Sequence, residues 1–123
     1  MNFKDKVFLI TGSTSGIGQG IAKALLEEGA KVVINYAHNE KNAEETKKLL
    51  EKYKDNTLFV KADISEEKSV IDMYKKIEDK FKKLDGLVNN AVYDKIFSIE
   101  ELTVEEYKRE LEVNVIARWM CIK

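Results

Sequence analysis

A glycine-rich segment between an apolar run and a helical pattern constrains this chain more than any other feature. Residues 11–18 have the sequence T-G-S-T-S-G-I-G, directly after the apolar run Val7–Ile10. Gly12 permits a tight exit from a strand, Gly16 lets backbone approach a ligand, and Gly18 lets the next helix pack closely. Glycines also close ordinary strand-to-helix turns. Between a buried strand and an amphipathic helix, however, this loop predicts a cradle for a dinucleotide phosphate.

Four short β-type runs alternate with helical patterns along the chain. This alternation predicts right-handed βαβ units in an α/β fold. We expect a truncated Rossmann-like, doubly wound parallel sheet of about four strands, in the order 3-2-1-4, with helices on both faces. With 123 residues, of which 44% are hydrophobic, the chain (1–123) is expected to form a single domain. The predicted strands are Val7–Ile10, Lys31–Asn35, Thr57–Lys61 and Gly86–Asn89.

Apolar residues spaced three and four apart predict the helices. The first begins near Ile17 and ends before Gly29, which suits a left-handed terminator. Ser65 is the predicted N-cap of the third helix, and Thr103 with Glu106 predicts a capping box for a fourth. The stripes of the second and third helices are Ala43, Thr46, Leu50 and Tyr53, and Val70, Tyr74, Ile77, Phe81 and Leu84.

Charge and composition argue against several classes of partner. The 21 basic and 22 acidic residues are interspersed and give a formal net charge of −1, so no nucleic acid and no membrane surface is expected as a partner. The N-terminal apolar run is shorter than a signal-peptide core, and we expect a cytoplasmic protein. The single cysteine, Cys121, is expected to be a small buried hydrophobe, and no metal site is predicted.

Four motifs together resemble the N-terminal half of the short-chain dehydrogenase/reductase family over essentially the whole chain. They are the loop T-G-x-x-x-G-x-G, Asp63-Ile64, Asn89-Asn90-Ala91, and Asn114 within E-V-N-V. The closest likeness is to 3-oxoacyl-carrier-protein reductases. The cofactor-binding residues that we expect are Thr11, Gly12, Ser13, Ser15, Gly16, Ile17, Gly18, Asn35, Tyr36, Ala37, Asp63, Ile64, Asn89, Asn90 and Ala91.

The resemblance assigns roles to the motifs that follow the third and fourth strands. It implies that Asp63 accepts a hydrogen bond from the adenine amino group, with Ile64 beside the ring. The alternative is a strand-end aspartate that binds N–H groups of its own turn. The resemblance also implies that residues 89–91 pack on the glycine loop, with Asn89 and Ala91 near the adenosine ribose, whereas the residues alone indicate an Asn-rich turn.

Two further positions concern the reactive end of the cofactor. The resemblance implies that Asn114 is catalytic, its backbone carbonyl holding a water in a proton relay. The alternative is an asparagine whose side chain is satisfied by neighbouring backbone. Val92 stands where the family usually has glycine, and we expect this β-branched residue to alter the backbone near the nicotinamide.

The residues after the second predicted strand bear on the choice of cofactor. An acidic residue there binds the ribose of NAD, and its absence accommodates the 2′-phosphate of NADP. This chain has Asn35-Tyr36-Ala37-His38, so we predict NADP, with NAD possible. Ser15 stands where many NADP-using relatives have Arg or Lys, and the nearby basic residues are His38 and Lys41.

The family's proton donor is a tyrosine with a lysine four residues later, assisted by a serine. No tyrosine of this chain has a lysine at that spacing. We therefore expect the cofactor-binding portion of an oxidoreductase for a 3-oxoacyl or similar carbonyl substrate, inactive as this chain alone. A non-catalytic dinucleotide-binding module and a subunit of a hetero-complex are the alternatives.

The family's members usually associate through the helix that contains the catalytic asparagine. We therefore expect a homo-oligomer through the helix around 103–123. Its apolar face is predicted to be exposed or paired, and comprises Ile116, Trp119, Met120 and Ile122.

Overall fold

A computed structural model describes residues 2–93 and 98–122. It contains one parallel four-stranded sheet in the order β3-β2-β1-β4, which confirms the predicted topology. In the centre of the sheet, Leu9 is in register with Val33 on one side and Leu87 on the other. The second strand is one residue longer than predicted and the fourth one residue shorter. The strands are β1 (Val7–Ile10), β2 (Lys31–Tyr36), β3 (Thr57–Lys61) and β4 (Gly86–Val88).

Within the described residues, five α-helices accompany the sheet: α1 (Gly16–Glu27), α2 (Glu40–Leu49), α3 (Glu67–Phe81), α4 (Val104–Leu111) and α5 (Ala117–Ile122). A 3₁₀-helix (Glu51–Asn56) follows α2, and a π-helical segment (Glu112–Ile116) joins α4 to α5. The apolar stripe that predicts a single second helix therefore extends over two elements, α2 and the 3₁₀-helix. Gly29, after α1, has φ 88°, as predicted for a left-handed terminator. Lys123, the last residue of the predicted 103–123 helix, lies outside the described residues.

The two predicted N-caps have different outcomes. Thr103 caps α4 as predicted, because its hydroxyl oxygen accepts from the Glu106 N–H at 3.1 Å. The prediction for Ser65 is wrong, since α3 begins at Glu67 with Glu66 as its N-cap. The Ser65 hydroxyl donates instead to the Asp63 carboxylate at 2.6 Å. The hydroxyl oxygen, which an N-cap uses to accept from a helix N–H, accepts from Arg109 Nη1 at 2.7 Å.

Alternate residues of the strands pack into two cores, one on each face of the sheet. Leu9 and Val33 face α3 and α5, where Cys121 is buried as predicted. Ile10 and Ile34 face α1 on the opposite side. This period-two alternation is what a sheet covered on both faces requires. The core that faces α3 and α5 also includes Val7, Val60, Met73 and Ile77. The core that faces α1 also includes Ala22, Leu26 and Val32.

The final helix exposes apolar side chains, as predicted for its face. Ile116, Trp119 and Ile122 are between 47% and 70% exposed, whereas Met120 packs against the core beside α3. The described helices include none with the length and hydropathy needed to cross a membrane.

Candidate functional site

The glycine loop leaves β1 and enters α1 with two residues in the left-handed region. Gly12 has φ 60° and Gly16 has φ 54°. A Cβ atom on Gly12 would lie 2.9 Å from the Ala91 Cα, and one on Gly18 would lie 2.4 Å from the Asn90 Nδ2. A Cβ on Gly16 would meet nothing within 4 Å. Gly12 and Gly18 thus permit close packing, while Gly16 keeps its backbone open to a ligand.

The turn after β4 is bonded directly to the loop. Thr11 Oγ1 accepts from the N–H groups of Asn90 and Ala91 at 3.1 and 3.0 Å. The Asn90 amide donates back to the carbonyls of Thr11 and Gly12 at 3.1 and 3.0 Å. Thr11 is fully buried. Residues 89–91 therefore pack on the loop through specific hydrogen bonds, as the resemblance implied, and are not an ordinary Asn-rich turn. We call the hydrogen-bonded contact of Asn90 with Thr11 and Gly12 the Asn90 strut.

Ser13 and Asn35 support the loop from the side of β2. The Ser13 hydroxyl donates to the Ile10 carbonyl at 2.7 Å, and the Asn35 N–H donates to that hydroxyl at 3.1 Å. Asn35 Oδ1 accepts from the Gly12 N–H at 3.1 Å, while its amide nitrogen donates to the Ala62 carbonyl at 3.2 Å. Both side chains are buried. Their polar groups hold three strands and the loop in register.

A cleft of about 570 Å³ lies over the carboxyl ends of the strands, beside the start of α1. In open parallel sheets, ligands bind in this location. The cleft brings together most of the residues that the sequence predicted, namely Gly12, Ser15, Gly16, Ile17, Asn35, Tyr36, Ala37, Asp63, Ile64, Asn90 and Ala91. Thr11, Ser13 and Gly18 lie behind this lining as supports.

Asn89 is placed on a different surface. It lines a second cavity, of about 930 Å³, between α3, β4 and α5. Its Oδ1 is buried and has no hydrogen-bond partner among the described residues. The predicted contact of Asn89 with a ribose stays a prediction.

The start of α1 gives the cleft a positive end. Ser15 is the N-cap with an extended backbone, and it makes no side-chain capping bond within the described chain. The first turn of α1 carries no acidic residue. The first N–H groups of a helix have no partner inside the helix, and the helix dipole is positive there. Ser15, Gly16 and Ile17 therefore present an environment suited to a phosphate.

Asp63 supplies a carboxylate to the lining of the cleft. Its Oδ1 accepts from the Ser65 N–H at 3.0 Å and from the Ser65 hydroxyl. Burial acts to raise the pKa of Asp63, but these bonds and the charge of Arg109 outweigh it, so the pKa lies below the usual value. The local-turn bonding of the alternative interpretation is thus present. The carboxylate nevertheless lines the cleft and remains ionised at neutral pH.

The cleft also contains residues that sequence reasoning did not identify. Arg109 of α4 lies with its guanidinium carbon 5.4 Å from the Tyr93 ring centroid, and the Tyr93 hydroxyl donates to Glu106 at 2.8 Å. In the sequence, Arg109 belongs to the charged run E-E-Y-K-R-E, which is typical of a solvated helix face. Its hydrogen bonds to Ser65 and Asp63, 44 and 46 positions away in the chain, accompany its place here. Thr14, His38, Asn39, Asn42, Ala62, Val92 and Val113 complete the lining.

The side chain of Asn114 forms hydrogen bonds with the backbone of Tyr93, in the segment after β4. Its Oδ1 accepts from the Tyr93 N–H and its amide nitrogen donates to the Tyr93 carbonyl, both at 2.9 Å. The side chain therefore follows the alternative in which neighbouring backbone satisfies it. The role of its backbone carbonyl in catalysis stays a prediction. Asn114 lies in the π-helical segment, a geometry frequent at functional sites.

The end of β2 presents no carboxylate to the cleft. Glu40, the next acidic residue along the chain, lies outside the lining and forms an ion pair with Lys61 at 2.6 Å. The hydrogen bond with Lys61 lowers the pKa of Glu40, although both groups are exposed. His38, at the rim, is 75% exposed, and its Nε2 lies 3.9 Å from Asp63 Oδ2.

Comparison with protein families agrees with this geometry. The model described as short chain dehydrogenase matches residues 6–123. An uncharacterized oxidoreductase of Thermotoga maritima is 39% identical over 116 residues, covering 94% of this chain and 45% of the relative. One from Methylorubrum extorquens is 37% identical over 111 residues, covering 90% and 45%. The chain thus spans about half the length of the curated relatives that it matches.

Solved structures also match nearly all of this chain and about half of their own length. The 3-ketoacyl-(acyl-carrier-protein) reductase of Brucella melitensis, complexed with NADH, superposes with a TM-score of 0.87 at 38% identity. The match covers 98% of this chain and 48% of that one. A short chain dehydrogenase of Burkholderia cenocepacia, in complex with NADP, gives a TM-score of 0.91 at 30% identity, covering 99% and 50%.

Proposed function

The chain belongs to the short-chain dehydrogenase family, and from that premise we propose that it is the NADP-binding portion of an oxidoreductase. The observation that carries the proposal is the cleft itself. Its lining includes an open glycine at the acid-free start of α1 and an ionised carboxylate. A dinucleotide has a pyrophosphate for the start of α1 and an adenine for the carboxylate. The NADH and NADP complexes of the structural neighbours support this assignment.

Different residues of the chain would bind the pyrophosphate and the adenine. The N–H groups at Gly16 and Ile17 would hold the pyrophosphate, while the bonded pair Thr11 and Asn90 keeps the loop in the shape that exposes them. The Asp63 carboxylate would accept from the adenine amino group. A bound nicotinamide supplies a hydride. We assign no proton donor within these 123 residues.

We prefer NADP over NAD because of the end of β2. A carboxylate there would repel a 2′-phosphate. Tyr36 and Ala37 line the cleft without one, and the charge of Glu40 is paired with Lys61 outside it. His38 and the neutral amides of Asn39 and Asn42 lie at the same rim. They leave room for the phosphate without a strong cationic clamp.

Calorimetric titration of the 123-residue chain with NADPH and NADH tests this proposal. We expect saturable binding of NADPH, and weaker binding of NADH. Gly16→Val should abolish binding of both, because it places a β-branched side chain at φ 54° on the open side of the loop. Gly20→Ala, at an open position of the same helix, is the matched control and should bind normally. Absence of heat at millimolar NADPH would refute the proposal.

The parent activity that we infer is reduction of a 3-oxoacyl or similar carbonyl compound. The likeness to the Brucella reductase supports this substrate class. Because the required tyrosine and lysine pair is absent from this sequence, we infer that the 123-residue chain binds NADPH without oxidising it. Absorbance at 340 nm with a 3-oxoacyl thioester should stay constant. Turnover by the purified chain would contradict this inference and leave the binding proposal intact.

We further propose that copies associate through the helix at 103–123 and that residues 1–123 act as one domain. The exposed apolar side chains of Ile116, Trp119 and Ile122 support association. A single cooperative unfolding transition, together with a second species in sedimentation at higher concentration, is the expected result.

A further inference from the structure

The guanidinium of Arg109 reaches from α4 to the residues that follow β3. Nη1 of Arg109 donates to the Ser65 hydroxyl oxygen at 2.7 Å, and Nη2 donates to Asp63 Oδ2 at 3.4 Å. The Ser65 hydroxyl in turn donates to Asp63 Oδ1 at 2.6 Å. The three side chains therefore close a ring. In this ring the planar guanidinium sets the direction in which the carboxylate points.

The ring uses most of the hydrogen-bonding capacity of Asp63. An ionised carboxylate has about four acceptor positions. Oδ1 accepts two bonds from Ser65, and Oδ2 accepts one from Arg109. The position that remains belongs to Oδ2, which also lies 3.9 Å from His38 Nε2 at the cleft rim. Asp63 can thus accept one further hydrogen bond from a donor in the cleft.

The other side of Arg109 is also fixed. Its guanidinium lies against the ring of Tyr93, and the backbone of Tyr93 is held on both sides by the amide of Asn114. The Arg109 side chain is 31% exposed and that of Asp63 is 20% exposed. Tyr93 and Ser65 therefore hold the guanidinium between them. A lysine at this position would keep the charge but could not donate in two fixed directions.

We propose that Arg109 is a positioning residue that makes the cleft selective for adenine over a base with an oxygen at the same position. The proposal rests on the proposed binding of a dinucleotide. By occupying one side of Oδ2 and holding Ser65, Arg109 directs the remaining acceptor toward the cleft. An exocyclic amine donates to that acceptor. A carbonyl oxygen in its place would face a carboxylate oxygen, and neither group carries a proton.

The test compares NADPH with its hypoxanthine analogue, in which the 6-amino group of adenine is replaced by oxygen. Dissociation constants come from the fluorescence of the dihydronicotinamide, which both compounds carry. The wild-type chain should favour NADPH by about 10-fold or more, as expected for a hydrogen bond to a charged group. Arg109→Lys should reduce this preference to roughly 3-fold or less by weakening NADPH alone. Arg118→Lys, the same exchange at the chain's other arginine, is the matched control.

The outcomes separate this inference from the proposed function. Failure of the wild type to bind NADPH would refute the proposed function, and the inference with it. Equal weakening of both dinucleotides by Arg109→Lys would overturn the inference alone, because it would indicate a general structural role. Ser65→Ala removes the other part of the ring and provides a second variant if Arg109→Lys does not fold. It should also lower the preference while leaving the affinity for the analogue within about 2-fold.

Discussion

At the glycine loop, the buried polar groups of Thr11, Ser13 and Asn35 all bond to backbone groups. In contrast, Asn89 Oδ1 after β4 and Arg118 Nε in α5 are buried without a partner among the described residues. Buried polar atoms in folded proteins nearly always have partners. The loop is thus complete within the described chain, while the surface between α3, β4 and α5 is not. The polar groups that shape the loop are therefore bonded within the described residues, whereas those of Asn89 and Arg118 are not.

The largest effect on stability is expected at Gly18 of the glycine loop, where there is no space for an added atom. Gly18→Ala places a Cβ 2.4 Å from the Asn90 amide and 2.8 Å from the Gly12 carbonyl. We expect it to lower the free energy of unfolding by about 3 kcal/mol and to abolish NADPH binding, because the strut must move. Urea denaturation measures the first effect. The same exchange at Gly20, two residues later on α1 in open space, should be neutral or stabilising.

A second substitution removes one acceptor from the same strut. Thr11→Val keeps the shape of the side chain but leaves the N–H groups of Asn90 and Ala91 without their partner. A loss of about 1–3 kcal/mol is expected in urea unfolding. Thr11→Ser retains the hydroxyl and should cost less. If the valine and serine variants were equally stable, the polar bonding of the loop would not be what distinguishes it from the β4 surface.

A third experiment uses pH to compare the two regions. Burial raises the pKa of Cys121 from 9.0 to about 11, and burial together with the charge of Cys121 raises that of Tyr74 from 10.0 to about 12. Both groups lie beside the β4 surface, where the Tyr74 hydroxyl donates to the Cys121 carbonyl. The unfolded chain therefore releases these protons first. Their stabilising effect is complete below about pH 9 and is lost as the pH rises through 11 and 12.

Urea midpoints measured from pH 8 to 11 check this prediction. Cys121→Val, which cannot ionise, should show a smaller decline over the range. Thr11→Ser should decline as steeply as the wild type, since it alters only the loop. Parallel curves for the wild type and Cys121→Val would show that the thiol does not contribute.

The smallest effect on stability is expected on the exposed helix face. Ile116 is 47% exposed, so Ile116→Lys should change the free energy of unfolding by less than about 0.5 kcal/mol. It should nevertheless reduce self-association in sedimentation equilibrium, if this face joins copies of the chain. Lys48→Ile, which adds apolar surface on α2, away from the 103–123 helix, serves as the opposite control. Unchanged association in Ile116→Lys would exclude the 103–123 helix as the contact.

Local pattern predicted the sheet well and the side-chain roles less well. The apolar runs predict buried strands and the glycine spacing predicts a tight strand-to-helix turn. β1 to β4 and the glycine loop could therefore be predicted from the sequence. Ser65 was assigned to a helix start because the sequence does not show that Asp63 holds its hydroxyl. Arg109 could not be found, because its place in the cleft depends on its contact with Asp63, 46 positions away along the chain. Contacts of that separation leave no local periodicity.

The strand order also has a kinetic consequence. β1 and β4 are neighbours in space, yet the Val7 N–H and the Asp85 carboxylate that it reaches at 2.8 Å are separated by 78 positions. The β1–β2 and β2–β3 pairs close much shorter loops, so the entropy of loop closure favours docking β4 last. The Asn90 strut arrives with β4, and the cleft is assembled only in that final step. A dinucleotide that binds the finished cleft would therefore slow the undocking of β4 first, and protection of its amides from hydrogen exchange would report occupancy.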